Sequence, residues 1–161
     1  MIFGGEYDAK KQKTVCILSA ILFVVIAFTI TFQAITINNT KQTQEEHFIS
    51  HIASALQSFG EYKETGYTFM YEDALMELHS ASSIALLLKD EDAYQGLHGV
   101  LLSIVGTHHS FPEDLALFTD EIMSALNDFS IHHDEENLYI KLNVIDNKLT
   151  AMMFERAEKV E

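Results

Sequence analysis

Two hydrophobic patterns divide this chain of 161 residues. Residues 15–37, VCILSAILFVVIAFTITFQAITI, are apolar without a charge, while beyond residue 47 apolar positions recur every three or four residues between polar ones. The first pattern suits a helix that is apolar all round. At 1.5 Å per residue it is about 35 Å long, enough to cross a hydrocarbon core of roughly 30 Å with some tilt. A cleaved signal sequence fits less well: its apolar region is shorter, about 7 to 15 residues, and ends in small residues. Here the exit Phe32-Gln33-Ala34 places a bulky ring where a small side chain is needed. The run is therefore expected to stay as an anchor.

The second pattern is that of amphipathic helices, each with one apolar stripe. Phe48, Ile52, Leu56 and Phe59 form the first, on a helix from about Gln42 that Gly60 is expected to end. Ala74, Leu78, Ala81, Ala85 and Leu88 form the second, on a helix from near Thr68 to Lys89. Asp90 reads as the N-cap of a third, with Tyr94, Leu97, Leu101, Ile104 and His108 in register. Ser110-Phe111-Pro112-Glu113 has the form of a capping box with proline in the first turn, opening a fourth helix with Leu115, Phe118, Ile122, Ala125 and Phe129. Asp134 caps a fifth, with Leu138, Leu142, Ile145, Leu149 and Met152. Short turns at 60–67, 90–92, 107–111 and 130–134 make sequential helices pack antiparallel. The expected fold is all-α, a single N-terminal transmembrane helix followed by an antiparallel up-down bundle of four to five helices. The third helix, apolar around much of its circumference, is expected to be the most buried; re-entry of that helix into the membrane is disfavoured by its short apolar run and by Gly99 and Gly106. The expected layout is a short cytoplasmic tail over residues 1–14, the transmembrane helix over 15–37, and an extracytoplasmic domain over 38–161.

Charge sets orientation and narrows the partners. Lys10, Lys11 and Lys13 precede the run and Lys41 is the first cation after it, which puts the N-terminus in the cytoplasm and residues 38–161 outside. Those residues carry seven Lys and Arg against 22 Asp and Glu, a balance of −15. Such a surface repels nucleic acid and anionic lipid, so the expected partners are membrane lipid, through residues 15–37, and another protein. Cys16, within the run, is the sole cysteine, so the outer domain holds together by packing without disulfides.

Histidine is the one residue type suited to chemistry here. His47 and His51, at i and i+4, share a helix face and are candidate ligands of a divalent metal ion, and His132-His133-Asp134, followed by Glu135 and Glu136, is a second candidate for metal binding or pH sensing. The turn holding His108 and His109 should lie at the opposite end of the bundle from that cluster. No other cofactor is expected. Ordinary roles compete: a solvated polar stripe for the first pair, helix capping for the second. Catalytic signatures are missing: there is no G-x-S-x-G, no cysteine nucleophile outside the run and no Gly-rich phosphate loop. Adjacent acids such as Glu72-Asp73 point about 100° apart on a helix and do not make an acid/base pair. Tyr62, Tyr67, Tyr71, Tyr94 and Tyr139 are expected to serve packing rather than a ligand cage. The chain is not expected to be an enzyme.

Three segments, YEDALMELHSASSIALLL at 71–88, FPEDLALFTDEIMSALNDFS at 111–130 and NLYIKLNVIDNKL at 137–149, together with Asn127-Asp128-Phe129-Ser130 closing a helix, carry a family likeness. In order and spacing, residues 15–160 resemble the N-terminal region of YpeB-type spore germination proteins of endospore-forming bacteria. The resemblance implies a non-enzymatic protein that protects or positions a cell-wall hydrolase. The chain departs from that pattern in having no tryptophan in the third helix, and the family's C-terminal repeat region is not among these residues, so a role carried by that region does not transfer. Two functions follow: a membrane-anchored, non-catalytic scaffold presenting an acidic bundle outside the cytoplasmic membrane, or a sensor-like bundle that binds a small ligand or divalent metal.

Overall fold

The computed structural model describes residues 5–88, 92–110 and 112–158, with side chains for 15–88, 93–107, 115–156 and 158. The described residues contain six helices and no strand: α1 (Gly5–Thr65), α2 (Thr68–Leu87), α3 (Asp92–Ser110), α4 (Pro112–Leu117), α5 (Thr119–His132) and α6 (Glu135–Glu158). The chain divides into two compact units, Met1–Gln42 and Thr43–Glu161.

The first unit is the N-terminal part of α1. Its large apolar side chains between residues 15 and 37 are all 49–74% exposed, and the segment is long and apolar enough to cross a membrane. Its threonines turn inward on the helix. Thr29, Thr31 and Thr36 donate their hydroxyls to the carbonyls of Val25, Ala27 and Phe32 at 2.8–2.9 Å, so these polar groups are satisfied within the helix itself.

In the second unit the apolar stripes meet in one core. Phe48, Ile52 and Phe59 of α1, Ala74, Leu78, Ala81 and Ala85 of α2, Leu97, Leu101 and Ile104 of α3, and Leu138, Leu142, Ile145 and Leu149 of α6 are all buried there, with Leu56 and Met152 packed against its edge. Aromatic rings lock α1 to three other helices. Phe48 meets Tyr94 edge-on at 5.3 Å and Phe129 at 5.7 Å, and Phe59 meets Tyr71 at 5.5 Å. Tyr71 and Tyr94 are core residues, Tyr62 and Tyr139 pack on the core, and Tyr67 is 68% exposed. Helix α3 packs against α2, α4 and α6 and reaches α1 through Tyr94, although Leu102 on its outer side is 44% exposed. The ring of Tyr139 of α6 packs against Gly96 of α3, where a Cβ would sit only 2.7 Å from it. A side chain at Gly96 would have to displace that ring.

Gly60 does not end the first bundle helix. Helix α1 runs on to Thr65, and the turn is only Gly66-Tyr67. A glycine inside a helix costs about 1 kcal/mol relative to alanine, and the buried Phe59 and the core-packed Tyr62 outweigh that. The true stop is Gly66, whose φ of +71° is left-handed and whose N–H donates to the Tyr62 carbonyl at 2.8 Å. These two glycines should therefore respond oppositely to alanine. Gly60→Ala, with nothing within 4 Å of the new Cβ, should stabilise by about 0.5–1 kcal/mol; Gly66→Ala should destabilise by about 1–2 kcal/mol. Urea midpoints of the full chain in detergent micelles check both; loss of stability in Gly60→Ala would mean that the helix ends there.

The fourth helix is two helices. Phe118 breaks it with φ −99° and ψ 4°; its N–H donates to Leu115 at 2.9 Å, and the Thr119 hydroxyl donates to the Ala116 carbonyl at 3.0 Å. Leu115, Phe118, Ile122, Ala125 and Phe129 nevertheless all face the core. A one-residue break leaves the 3-4-3-4 spacing unchanged and is invisible to periodicity. Asp134 does cap α6, its Oδ1 accepting the Asn137 N–H at 2.9 Å. The expected Asp90 cap and the side chains of Ser110-Phe111-Pro112-Glu113 lie outside the described residues.

Candidate functional site

The C-terminus of α5 and the start of α6 form a densely bonded polar corner that grows from one carboxylate. Asp128 Oδ2 accepts from Lys141 Nζ at 2.8 Å and from Asn137 Nδ2 at 2.6 Å, while its Oδ1 lies 3.6 Å from His132 Nε2, one helical turn on. The Lys141 hydrogen bond holds the Asp128 carboxyl below the usual carboxylate range; partial burial opposes this, and Asn137 and the charges of Lys141 and His132 add to it. His133 closes α5 in the left-handed region at φ 50°, its N–H donating to the Phe129 carbonyl at 2.7 Å and its ring edge-on to Phe129 at 5.9 Å. Asp134 is engaged as the cap of α6, and Glu135 accepts from the Tyr94 hydroxyl at 3.2 Å.

Because Asp128 titrates low in the folded state, it contributes stability above the unfolded carboxylate value of about 3.9, and that stability is lost as pH falls through the lower, folded value. Asp128→Asn should therefore flatten the dependence of the melting midpoint on pH below about pH 4. An unchanged acid slope in that variant would show that the Lys141 pairing is without consequence.

The two histidine groups named from the sequence come to the same end of the second unit. Phe48, next to His47, touches Phe129, which touches His133. His47 is exposed, and His51 does not turn to His47 but pairs across to α2, its Nδ1 2.5 Å from Glu77 Oε2. His132 is 63% exposed beside Asp128. Among the described residues no three His, Cys, Asp or Glu side chains gather as a group that could hold a metal ion. The side chains of His108 and His109 lie outside the described residues.

One histidine arrangement left no trace in the spacing. Ser82 of α2 and His98 of α3 exchange bonds: His98 Nδ1 lies 2.9 Å from the Ser82 carbonyl, and the Ser82 hydroxyl donates to the His98 carbonyl at 3.1 Å. A carbonyl oxygen only accepts, so Nδ1 carries the proton and does not serve as a base for the hydroxyl 3.0 Å away. With Ser82 only 1% exposed, the pair joins two helices rather than activating a nucleophile. No protein-family model, curated protein or solved structure matches this chain.

Proposed function

We propose that the protein is a non-catalytic, single-pass membrane scaffold. Residues 15–37 cross the cytoplasmic membrane with the N-terminus inside, and the acidic second unit, an antiparallel up-down bundle, is presented outside to a protein partner. The observation that carries this reading is the contrast between the two units. The core side chains of the second unit are 0–9% exposed, whereas fourteen large apolar residues between 15 and 37 stay 49–74% exposed. At about 1.5–3 kcal/mol for each such side chain, leaving them in water costs tens of kcal/mol. Hydrocarbon removes that cost, and the inward-bonded threonine hydroxyls suit it. The likeness to YpeB-type proteins supports a cell-wall hydrolase as the partner.

Alkaline carbonate extraction and cysteine labelling test the reading together. In a Cys16→Ala background, Met76→Cys, at a side chain 59% exposed on α2, should stay with the membrane fraction and react with a membrane-impermeant maleimide in intact cells. Release by carbonate overturns the anchor, and labelling only after lysis overturns the sidedness. Photo-crosslinking from the second unit in native membranes should then recover a specific protein beyond a membrane-tethered control; recovery of none counts against the scaffold.

A further inference from the structure

The second unit sets three of its few cations against the acids of one helix. It has six Lys and Arg against 22 Asp and Glu, and three of those lysines neutralise acids of α5. Lys63 pairs with Asp120 at 2.5 Å, Lys148 with Glu121 at 2.6 Å and Lys141 with Asp128 at 2.8 Å. The surface so neutralised is also apolar. Ile140 and Val144 of α6, 53% and 49% exposed, line a groove of about 440 Å³ beside α5.

Helix α6 carries a second stripe that the core does not use. Ile140, Val144, Asn147, Ala151 and Phe154 step 4-3-4-3, as the buried stripe does. An offset of two residues places it about 200° around the helix, so it faces away from the core, with Phe154 68% exposed. A helix buried on one side only needs one stripe.

We propose that this α5–α6 face is the contact between two copies of the chain. Two bodies of such negative charge repel over most of their surfaces. They can touch where Asp120, Glu121 and Asp128 are already paired and the surface between them is apolar, with the exposed Glu136 and Glu158 at the two ends of the α6 stripe. A basic partner would instead seek carboxylates without a lysine, so the pairing of charge on this face selects a second copy. In a two-fold dimer the same patch meets itself, and Val144 approaches its counterpart. The exposed apolar side chains offer less than the roughly 800 Å² per partner of a standard interface. Sharing a membrane supplies the missing affinity by raising the effective concentration toward about millimolar, a step that rests on the anchor reading above.

Crosslinking of the full chain in native membranes decides it. In the Cys16→Ala background, Val144→Cys, at 49% exposure, with a short bis-maleimide should give a covalent dimer at least about fivefold more abundant than Met76→Cys, a somewhat more exposed site on α2 at 59%. Raising salt from about 20 to about 500 mM should increase the yield, because screening weakens the repulsion between acidic bodies. Equal yields at the two sites, or a yield that falls with salt, overturn the proposal. Adding Val144→Glu to Ile140→Cys should cut its dimer yield by about fivefold or more with the near-ultraviolet tyrosine signal retained; an undiminished yield overturns the interface. If that signal is lost, the Val144→Cys and Met76→Cys comparison, which alters no buried residue, decides alone. Carbonate extraction separates the two readings: a released protein overturns the anchor, while a retained protein without Val144 crosslinks overturns only this interface.

Discussion

Phe48→Ala should destabilise the second unit by about 3–5 kcal/mol, a large share of the roughly 5–15 kcal/mol that holds a small domain folded. Phe48 is fully buried and meets Tyr94 and Phe129 edge-on at 5.3 and 5.7 Å, so its removal opens a cavity where α1, α3 and α5 converge. The effect is diagnostic because Phe48 belongs to α1, the helix that also holds the apolar run. Urea midpoints of the full chain in micelles, followed by the near-ultraviolet signal of the tyrosines, measure it. Phe69→Ala, at a ring 63% exposed, should change stability by less than about 0.5 kcal/mol. Equal midpoints for the two variants would show that α1 contributes no core.

At alkaline pH the controlling group should be Tyr71. Burial pushes its phenol up to about 12; the nearby Thr119 hydroxyl opposes this, and the charge of Tyr62 adds to it. A raised folded pKa means that the folded chain holds the proton more tightly. The stability this represents is complete below the unfolded value of about 10 and is lost as pH rises from there through the folded value near 12. Full loss corresponds to about 2–3 kcal/mol, at roughly 1.4 kcal/mol per unit. Tyr71→Phe should therefore lie close to the parent at pH 8 and become the more stable of the two by about 1–2 kcal/mol above pH 11. Absorbance at the phenolate band should also lose its latest-titrating component in the variant. A parent and variant that weaken in parallel above pH 10 would place Tyr71 in water.

The stripes named from spacing were legible because burial in a helix repeats every 3.6 residues whatever the partner. Phe48, Ile52 and Phe59, or Leu138, Leu142, Ile145 and Leu149, all enter the core at the expected positions. Helix ends were harder to read. Gly60 resembles Gly66 in sequence, and only the packing of Phe59 and Tyr62 carries the helix through the first to stop at the second. The same limit hid the break at Phe118. At the candidate site, Asp134 was legible as a cap because its partner lies three residues on. The partner of Asp128, Lys141, lies thirteen residues away on the next helix, and that of His51, Glu77, lies twenty-six away.

From the order of its residues alone, this chain is committed to helices, to one apolar segment able to cross a membrane, and to five apolar stripes between acidic surfaces. Each of these depends on interactions within a few turns, which local spacing encodes. Tertiary structure decided which side chains meet across helices: the Ser82–His98 exchange, the Phe48 aromatic junction, and the three lysines gathered onto α5. Those pairings join residues 13 to 81 positions apart, and only closing the chain around a common core brings them within reach.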